Sequence, residues 1–178
     1  MNKEQVLATI KQLRENSKKR KFNQSFDLII NVKGIDFKKE DKKINTYFVL
    51  PHSKGKKTRV TALVGNELVT KAKGVCDKVV LNEEFKSLDK KALKKLSQET
   101  DYFIAQANIM PQVATTFGRV LGPRGLMPNP KAGGVVPPTA ELKPVVERLQ
   151  KTVKLETKNE PTIKVLVGNE TMKDEEIT

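Results

Sequence analysis

Few residues in this sequence could carry bond-making chemistry. His52 is the single histidine, in Leu50-Pro51-His52-Ser53-Lys54-Gly55, so a multi-histidine metal site and a His-Glu-x-x-His helix are both excluded. A lone loop histidine beside lysines reads as a polar contact rather than a general base. Cys76 is the single cysteine; it can form neither an internal disulfide nor a cysteine metal site. Lying between Gly74-Val75 and Val79-Val80-Leu81, it reads as a small buried apolar residue. Carboxylates such as Glu83 and Glu84 offer no acid/base pair and read as decoration of a solvated helix. The run Gly118-Arg119-Val120-Leu121-Gly122-Pro123-Arg124-Gly125 invites a phosphate-loop reading and fails in detail. A P-loop needs Gly, four residues and then Gly-Lys-Ser/Thr directly after a strand. The dinucleotide pattern Gly-x-Gly-x-x-Gly is missing after Val64, where that fold would place it. The sequence therefore predicts no catalytic residues, no metal and no cofactor.

What remains is the chemistry of holding polyanions. Lys and Arg number 34 against 21 Asp and Glu, a formal charge of +13. The excess is uneven: residues 1–60 hold sixteen basic and six acidic side chains, whereas residues 153–178 hold four and six. A basic first third attracts phosphate, and it lacks the Trp- or Phe-rich amphipathic helix that anionic membranes call for. No apolar run approaches the ~18 residues that span a bilayer. Met1 to Leu13 has no signal-peptide apolar block, so neither secretion nor membrane insertion is expected.

Two segments carry the contact chemistry. In Lys21-Phe22-Asn23-Gln24-Ser25 an aromatic flanked by a cation and small polar groups suits RNA, where a ring stacks on a base or ribose and hydroxyls or amides reach 2′-hydroxyls. The alternative role for Phe22 is to cap the core beneath the first helix. The loop Leu121-Gly122-Pro123-Arg124-Gly125-Leu126-Met127-Pro128-Asn129-Pro130-Lys131-Ala132-Gly133-Gly134 combines glycines that allow close backbone approach with prolines that limit ordering entropy. Arg119, Arg124 and Lys131 can contact phosphates there, Arg124 as a bidentate fork. The alternative is that the loop only packs one domain against another.

The elements that position these segments follow from periodicity. An amphipathic helix is expected at the start, with Asn2 and Gln5 as a capping box and Val6, Leu7, Ile10 and Leu13 on one face. Phe26, Leu28, Ile30 and Val32 alternate with polar residues as a half-buried strand, and a charged loop over Lys38–Lys43 leads to a second through Ile44, Thr46, Phe48 and Leu50. From Val60 the style changes. Val60–Val64, Val79–Leu81 and Tyr102–Ala105 are short apolar runs separated by helical stretches near Asn66–Lys73 and Glu83–Gln98, the pattern of a doubly wound parallel sheet. A helix near Gln112–Leu121, the Gly/Pro loop to Pro138 and a helix over Glu141–Gln150 follow. Alternation returns at Val153–Leu155 and Ile163–Val167. The expected architecture is α/β and α+β. A discontinuous α+β domain with an antiparallel sheet covers residues 1–58 and 153–178, and an α/β domain with a parallel sheet is inserted at 59–152. The chain crossings near Ser53–Lys57 and Lys151–Val153 would form a hinge.

Read together, Lys21–Ser25, Leu50-Pro51-His52 with Gly55-Lys56, the eleven residues 121–131 and the Val-Gly-Asn-Glu-x-Met segment at 167–172 resemble the L-one family of ribosomal proteins, which sit on the mobile stalk of the large subunit. Gln24-Ser25 and the short start look archaeal, while Asn129–Gly133 is more like the bacterial loop. The resemblance implies a discontinuous RNA-binding domain, an inserted Rossmann-like domain and no enzymatic activity. It implies that Lys21, Phe22, Gln24, Ser25, Lys164, Gly168 and Asn169 contact large-subunit rRNA. His52, Arg119, Arg124 and Lys131 would make secondary RNA or interdomain contacts. It implies a cytoplasmic, ribosome-bound protein whose partners include other ribosomal components. Exit-site tRNA, whose release it would assist, and its own messenger RNA, whose translation it would repress, are further implied partners. It also implies a further helix, begun at Lys173–Ile177, and a last strand bearing a Thr-Met-Gly segment that touches RNA; relative to that pattern the sequence ends early, at Thr178. Two rival readings are a nucleotide-using enzyme built on the parallel sheet and a nonspecific DNA-binding protein.

Overall fold

A computed structural model describes residues 2–34, 44–157 and 160–178; the charged loop expected over Lys38–Lys43 lies outside them. The chain divides into two compact units, Met1–Lys57 with Lys151–Thr178 (unit 1) and Thr58–Gln150 (unit 2).

Unit 2 is built on a parallel four-stranded sheet in the order β4-β3-β5-β6, with β3 Val60–Val64, β4 Lys78–Leu81, β5 Tyr102–Gln106 and β6 Val135–Val136. Every residue of β3 is buried, because it is flanked in register by β4 and β5 and covered on both faces. Thr61 is accommodated there by a 2.7 Å hydrogen bond to the Thr100 hydroxyl. Helices α2 (Val69–Lys73), α3 (Lys90–Glu99), α4 (Met110–Leu121) and α5 (Leu142–Lys151, whose last residue belongs to unit 1) complete it. Leu63, Phe85, Leu93, Phe103, Ala105, Val113, Phe117 and Leu121 form one core, in which Phe85 and Phe117 meet edge to face at 5.0 Å.

Two sequence expectations change here. The helix predicted over Glu83–Gln98 is broken into a 3₁₀ turn (Asn82–Lys86) and α3. Ser87 closes the first piece by donating to the Glu84 carbonyl, and Asp89 caps the second by accepting from the Ala92 amide at 2.7 Å. Asp at an N-cap competes with helix interior geometry, so the chain restarts there. β6 was not legible, since two residues give no period; it adds Val135 and Val136 beside Ala105 and Gln106.

Unit 1 contains α1 (Lys3–Asn16), α6 (Asp174–Ile177) and two antiparallel ribbons. β1 (Ser25–Asn31) pairs with β8 (Thr162–Asn169), and β2 (Asn45–Val49) with β7 (Thr152–Glu156). The half-buried pattern expected for the first two strands is not realised. Leu28, Ile29, Ile30, Phe48 and Val49 are all exposed, because each ribbon has two strands and, among the described residues, no second layer covers those faces. The apolar face of α1 is also shifted. Ile10 is buried but Leu13 is 49% exposed, and Arg14, four residues on from Ile10, takes the inward place. Of the expected capping box, the Gln5 half forms, its side chain accepting from the Asn2 amide at 3.2 Å.

The two passages of chain between the units are fastened within each unit. In unit 2, Gln150 accepts from the Thr58 amide at 2.7 Å and donates to the Thr58 carbonyl at 2.8 Å. In unit 1, the buried Lys54 ammonium donates to the Thr152 carbonyl at 2.9 Å, and Leu50 N donates to the Lys151 carbonyl at 2.9 Å.

Candidate nucleic-acid interface

The last turn of α1, the connection over residues 17–24, the start of β1 and the turn after β8 enclose a cleft of about 510 Å³. Arg14, Ser17, Lys19, Arg20, Gln24, Ser25 and Thr171 contribute to its lining. Its walls are held by hydrogen bonds that span the sequence from end to end. Arg14 donates from Nε to Asp174 at 2.6 Å and from its two other nitrogens to the Glu170 and Met172 carbonyls. Its guanidinium also lies 5.2 Å from the Phe26 ring centroid. The planar guanidinium meets three acceptors in one fixed geometry, whereas a lysine ammonium is a rotatable point charge. Arg14 thus shapes the cleft, and of the other charged groups in its lining Lys19 and Arg20 outnumber Glu170. Sequence reasoning passed over Arg14; the available signal was a cation at the i+4 position from Ile10 on the apolar face.

Of the predicted residues, Lys21, Phe22 and Ser25 are exposed. Phe22 is 64% exposed, so its ring does not cap the core. Gln24 donates to the Lys18 carbonyl at 3.0 Å and to Glu170 at 3.3 Å, and its carbonyl accepts from Glu170 N; it ties the basic connection to the end of β8. Asn169 is buried. Its amide donates to the Gly55 carbonyl at 2.9 Å, and its oxygen accepts from Thr171 N and Oγ1 at 3.1 and 2.7 Å. Gly168 is also buried, and a Cβ there would stand 3.2 Å from both Met172 and Ile177, so the α6 turn packs closely only over glycine. Ser25 and Phe26 lie opposite Asn169 and Gly168 in register, which brings those predicted residues together. Lys164 is exposed and opposite Ile29, four rungs down the ribbon, or roughly 13 Å at ~3.3 Å per residue; it lies apart from the cleft.

His52 occupies an exposed bend in unit 1. Arg119, Arg124 and Lys131 are exposed on unit 2. The loop bearing the last two is internally ordered: Leu126 N donates to the Leu121 carbonyl at 3.0 Å and Gly134 N to the Asn129 carbonyl at 2.9 Å. Leu126 and Met127 pack against the unit 2 core. Gly133 turns the chain at φ +80°, and a Cβ on Gly134 would sit 2.9 Å from the Phe103 carbonyl, so the loop lies directly against β5.

The carboxyl-end crevice of a doubly wound sheet is where such folds take nucleotides. Here Gln106, 1% exposed, fills it. Its oxygen accepts from Gly65 N at 2.9 Å and its nitrogen donates to Glu67 at 3.0 Å. The amide that would greet a phosphate is occupied, and a carboxylate stands beside it. Among the described residues no group of three or more His, Cys, Asp or Glu side chains could hold a metal ion, and no helix is long and apolar enough to cross a membrane.

Comparison with known proteins gives the family. Residues 13–178 match the model of the ribosomal protein L1p/L10e family. The chain belongs to that family. It is 42% identical to the large ribosomal subunit protein uL1 of Methanothermococcus thermolithotrophicus, over 99% of this chain and 82% of that protein. The corresponding protein of Methanocaldococcus jannaschii is also 42% identical, with 80% of its length covered; that of Nanoarchaeum equitans is 42% identical over 94% of this chain and 79% of its own length. Family membership makes the chain a structural constituent of the large ribosomal subunit and not an enzyme.

Proposed function

We propose that unit 1 grips a folded segment of large-subunit rRNA through the cleft between α1 and the β1–β8 ribbon. The observation that carries this reading is the exposed Phe22 ring, set in a basic run beside a cleft lined by Lys19, Arg20 and Ser25. Lys21 draws the phosphate backbone, Phe22 stacks on an unpaired base or ribose, and Ser25 bonds a 2′-hydroxyl. Gln24, Gly168 and Asn169 hold the backbone on which these groups stand, and Lys164 extends the basic surface along the ribbon. His52, Arg119, Arg124 and Lys131 form secondary contacts with RNA or between domains. Domain bounds of 1–58 with 153–178, and 59–152, serve this division of labour.

On the same reading the protein works at the mobile stalk of cytoplasmic ribosomes, beside other ribosomal components, where it assists release of exit-site tRNA. It also represses its own messenger RNA when that message presents a similar fold. Support for both comes from family membership alone. Filter binding to a stalk rRNA fragment tests the interface. Phe22→Ala removes stacking valued at about 1–3 kcal/mol per base and should weaken binding about 10-fold or more. Ser25→Ala should weaken it less, and Arg124→Ala least. Equal affinity for all three and the parent protein would remove the assignment. Excess duplex DNA should fail to compete; if it displaces the RNA, binding is electrostatic only.

A further inference from the structure

We propose that the solvent face of α3 in unit 2 is a second RNA-binding surface that takes the phosphate backbone of a duplex, separate from the cleft in unit 1 and not dependent on it. The exposed residues of α3, read around its axis, are Lys90, Lys94, Gln98, Lys91 and Lys95. At ~100° per residue they fill one continuous arc of about 140°. No acidic side chain interrupts that arc. Glu99, the one carboxylate of the helix, lies at its border and is engaged by the Lys78 ammonium. Among the described residues Lys90, Lys91 and Lys94 make no ion pair, while Lys95 lies near enough to Glu99 to help hold that carboxyl below its ordinary value, after Lys78.

This arrangement works against the helix itself. Lys90 with Lys94 and Lys91 with Lys95 are like-charge pairs at i,i+4, which destabilise. Lys90 and Lys91 also stand in the first turn, where the helix dipole disfavours cations and where the capping Asp89 is the carboxylate at that end. A merely solubilising face mixes signs, as those of α1 and α5 do. The exposed side of α1 carries Lys3, Glu4, Lys11 and Glu15, and that of α5 sets Lys143 four residues before Glu147. Lysines repeated on one side at adjacent turns, about 5–6 Å apart between Cβ atoms, suit a ligand whose own charges repeat. Since the protein is a ribosomal constituent, that ligand is RNA. The side chains are ammonium point charges with no aromatic among them, so they hold a backbone and read no sequence.

The full-length protein with Lys90, Lys91, Lys94 and Lys95 all changed to Gln tests this. A matched control changes Lys3, Lys11, Lys73 and Lys143, which gives the same net charge. The probe is a 20-base-pair RNA duplex of non-ribosomal sequence, titrated from low to moderate salt. Each phosphate contact contributes ~0.9 to the slope of log K against log salt on B-form duplex DNA; with a similar value on duplex RNA the α3 variant should lose up to about 3.6 from that slope and the control well under 1. Equal losses in both proteins reduce the effect to net charge and overturn the proposal, as does an unchanged slope in the α3 variant. An unchanged slope accompanied by lost binding to vesicles rich in anionic lipid would assign the face to a membrane instead. Binding of the stalk fragment, governed by the cleft, should keep its Phe22 dependence in either variant.

Discussion

The two units solve the folding problem by different means. Unit 2 closes an apolar core around a sheet strand with no exposed residue, and Phe85, Phe103, Phe117 and Leu121 are each at most 3% exposed. Among the described residues of unit 1 the buried apolar ones are Ile10, Val153, Ile163 and Val165, and the ends are tied by Arg14, Gln24 and Asn169 instead. Burying apolar side chains is worth ~1.5–3 kcal/mol each, whereas a typical hydrogen bond nets about 1 kcal/mol. Unit 2 should therefore outlast unit 1 in denaturant, and urea should open the molecule in two steps rather than one. The lesson is a division of roles. The part with an unshielded Phe22 is the part with least interior, so it has contacts to gain from a partner.

The sharpest way to break this contrast is Phe117→Ala. Removing a fully buried ring from the unit 2 core should cost about 3–5 kcal/mol and bring the second urea step down to the first; a shift below 1 kcal/mol would show that the core is not what holds unit 2. Cys76 gives the next largest signal. Burial pushes its thiol up from 9.0 to about 11, with Asp77 adding to the rise. Because the raised value favours the neutral form, the thiolate is scarce at pH 8, and alkylation should run up to ~100-fold slower in the native protein than in urea. Since Cys76 belongs to unit 2, its alkylation should follow the second step and stay slow through the first. The same sign means that any stability it adds is complete below pH 9 and fades as pH rises towards 11.

On the unit 1 side, Arg14→Ala strands Asp174 and two carbonyls. With the guanidinium about a quarter exposed, it should lower the first step by about 2 kcal/mol and leave the second untouched. It should also weaken the stalk fragment's binding, because the cleft loses its shape. Asn169→Ala is the mildest, at about 1 kcal/mol. It frees the Gly55 carbonyl and Thr171, which hydrogen exchange of the Thr171 amide would register.

The same contrast explains what the sequence disclosed. In unit 2 each strand is a run of apolar residues, and Val60–Val64, Val79–Leu81 and Tyr102–Ala105 could be placed because burial on both faces leaves an unbroken signal. Two features escaped: the Asp89 cap that splits a predicted helix, and β6, too short to show a period. In unit 1 the alternation at Phe26–Val32 located the strand and misjudged its burial, since period 2 reports two faces but not whether a second layer covers either. Phe22 stood out as an aromatic among cations. Gln24 and Asn169 were expected as RNA contacts, but the bonds by which they tie the fold together were not legible, and Arg14 did not stand out at all, because these roles depend on partners more than a hundred residues away in sequence or contributed by another element.

The doubled bond between Gln150 and Thr58 has a further consequence. It sets the entry and exit of the inserted unit side by side, so the surrounding chain meets it as it would meet a tight hairpin turn. Lengthening a loop costs little once its ends are joined, and here the joining is done by the insert's own folding. Such a module can be lifted out at that seam, bridged by a few glycines or exchanged for another closed insert, with no change required in the ribbons that receive it.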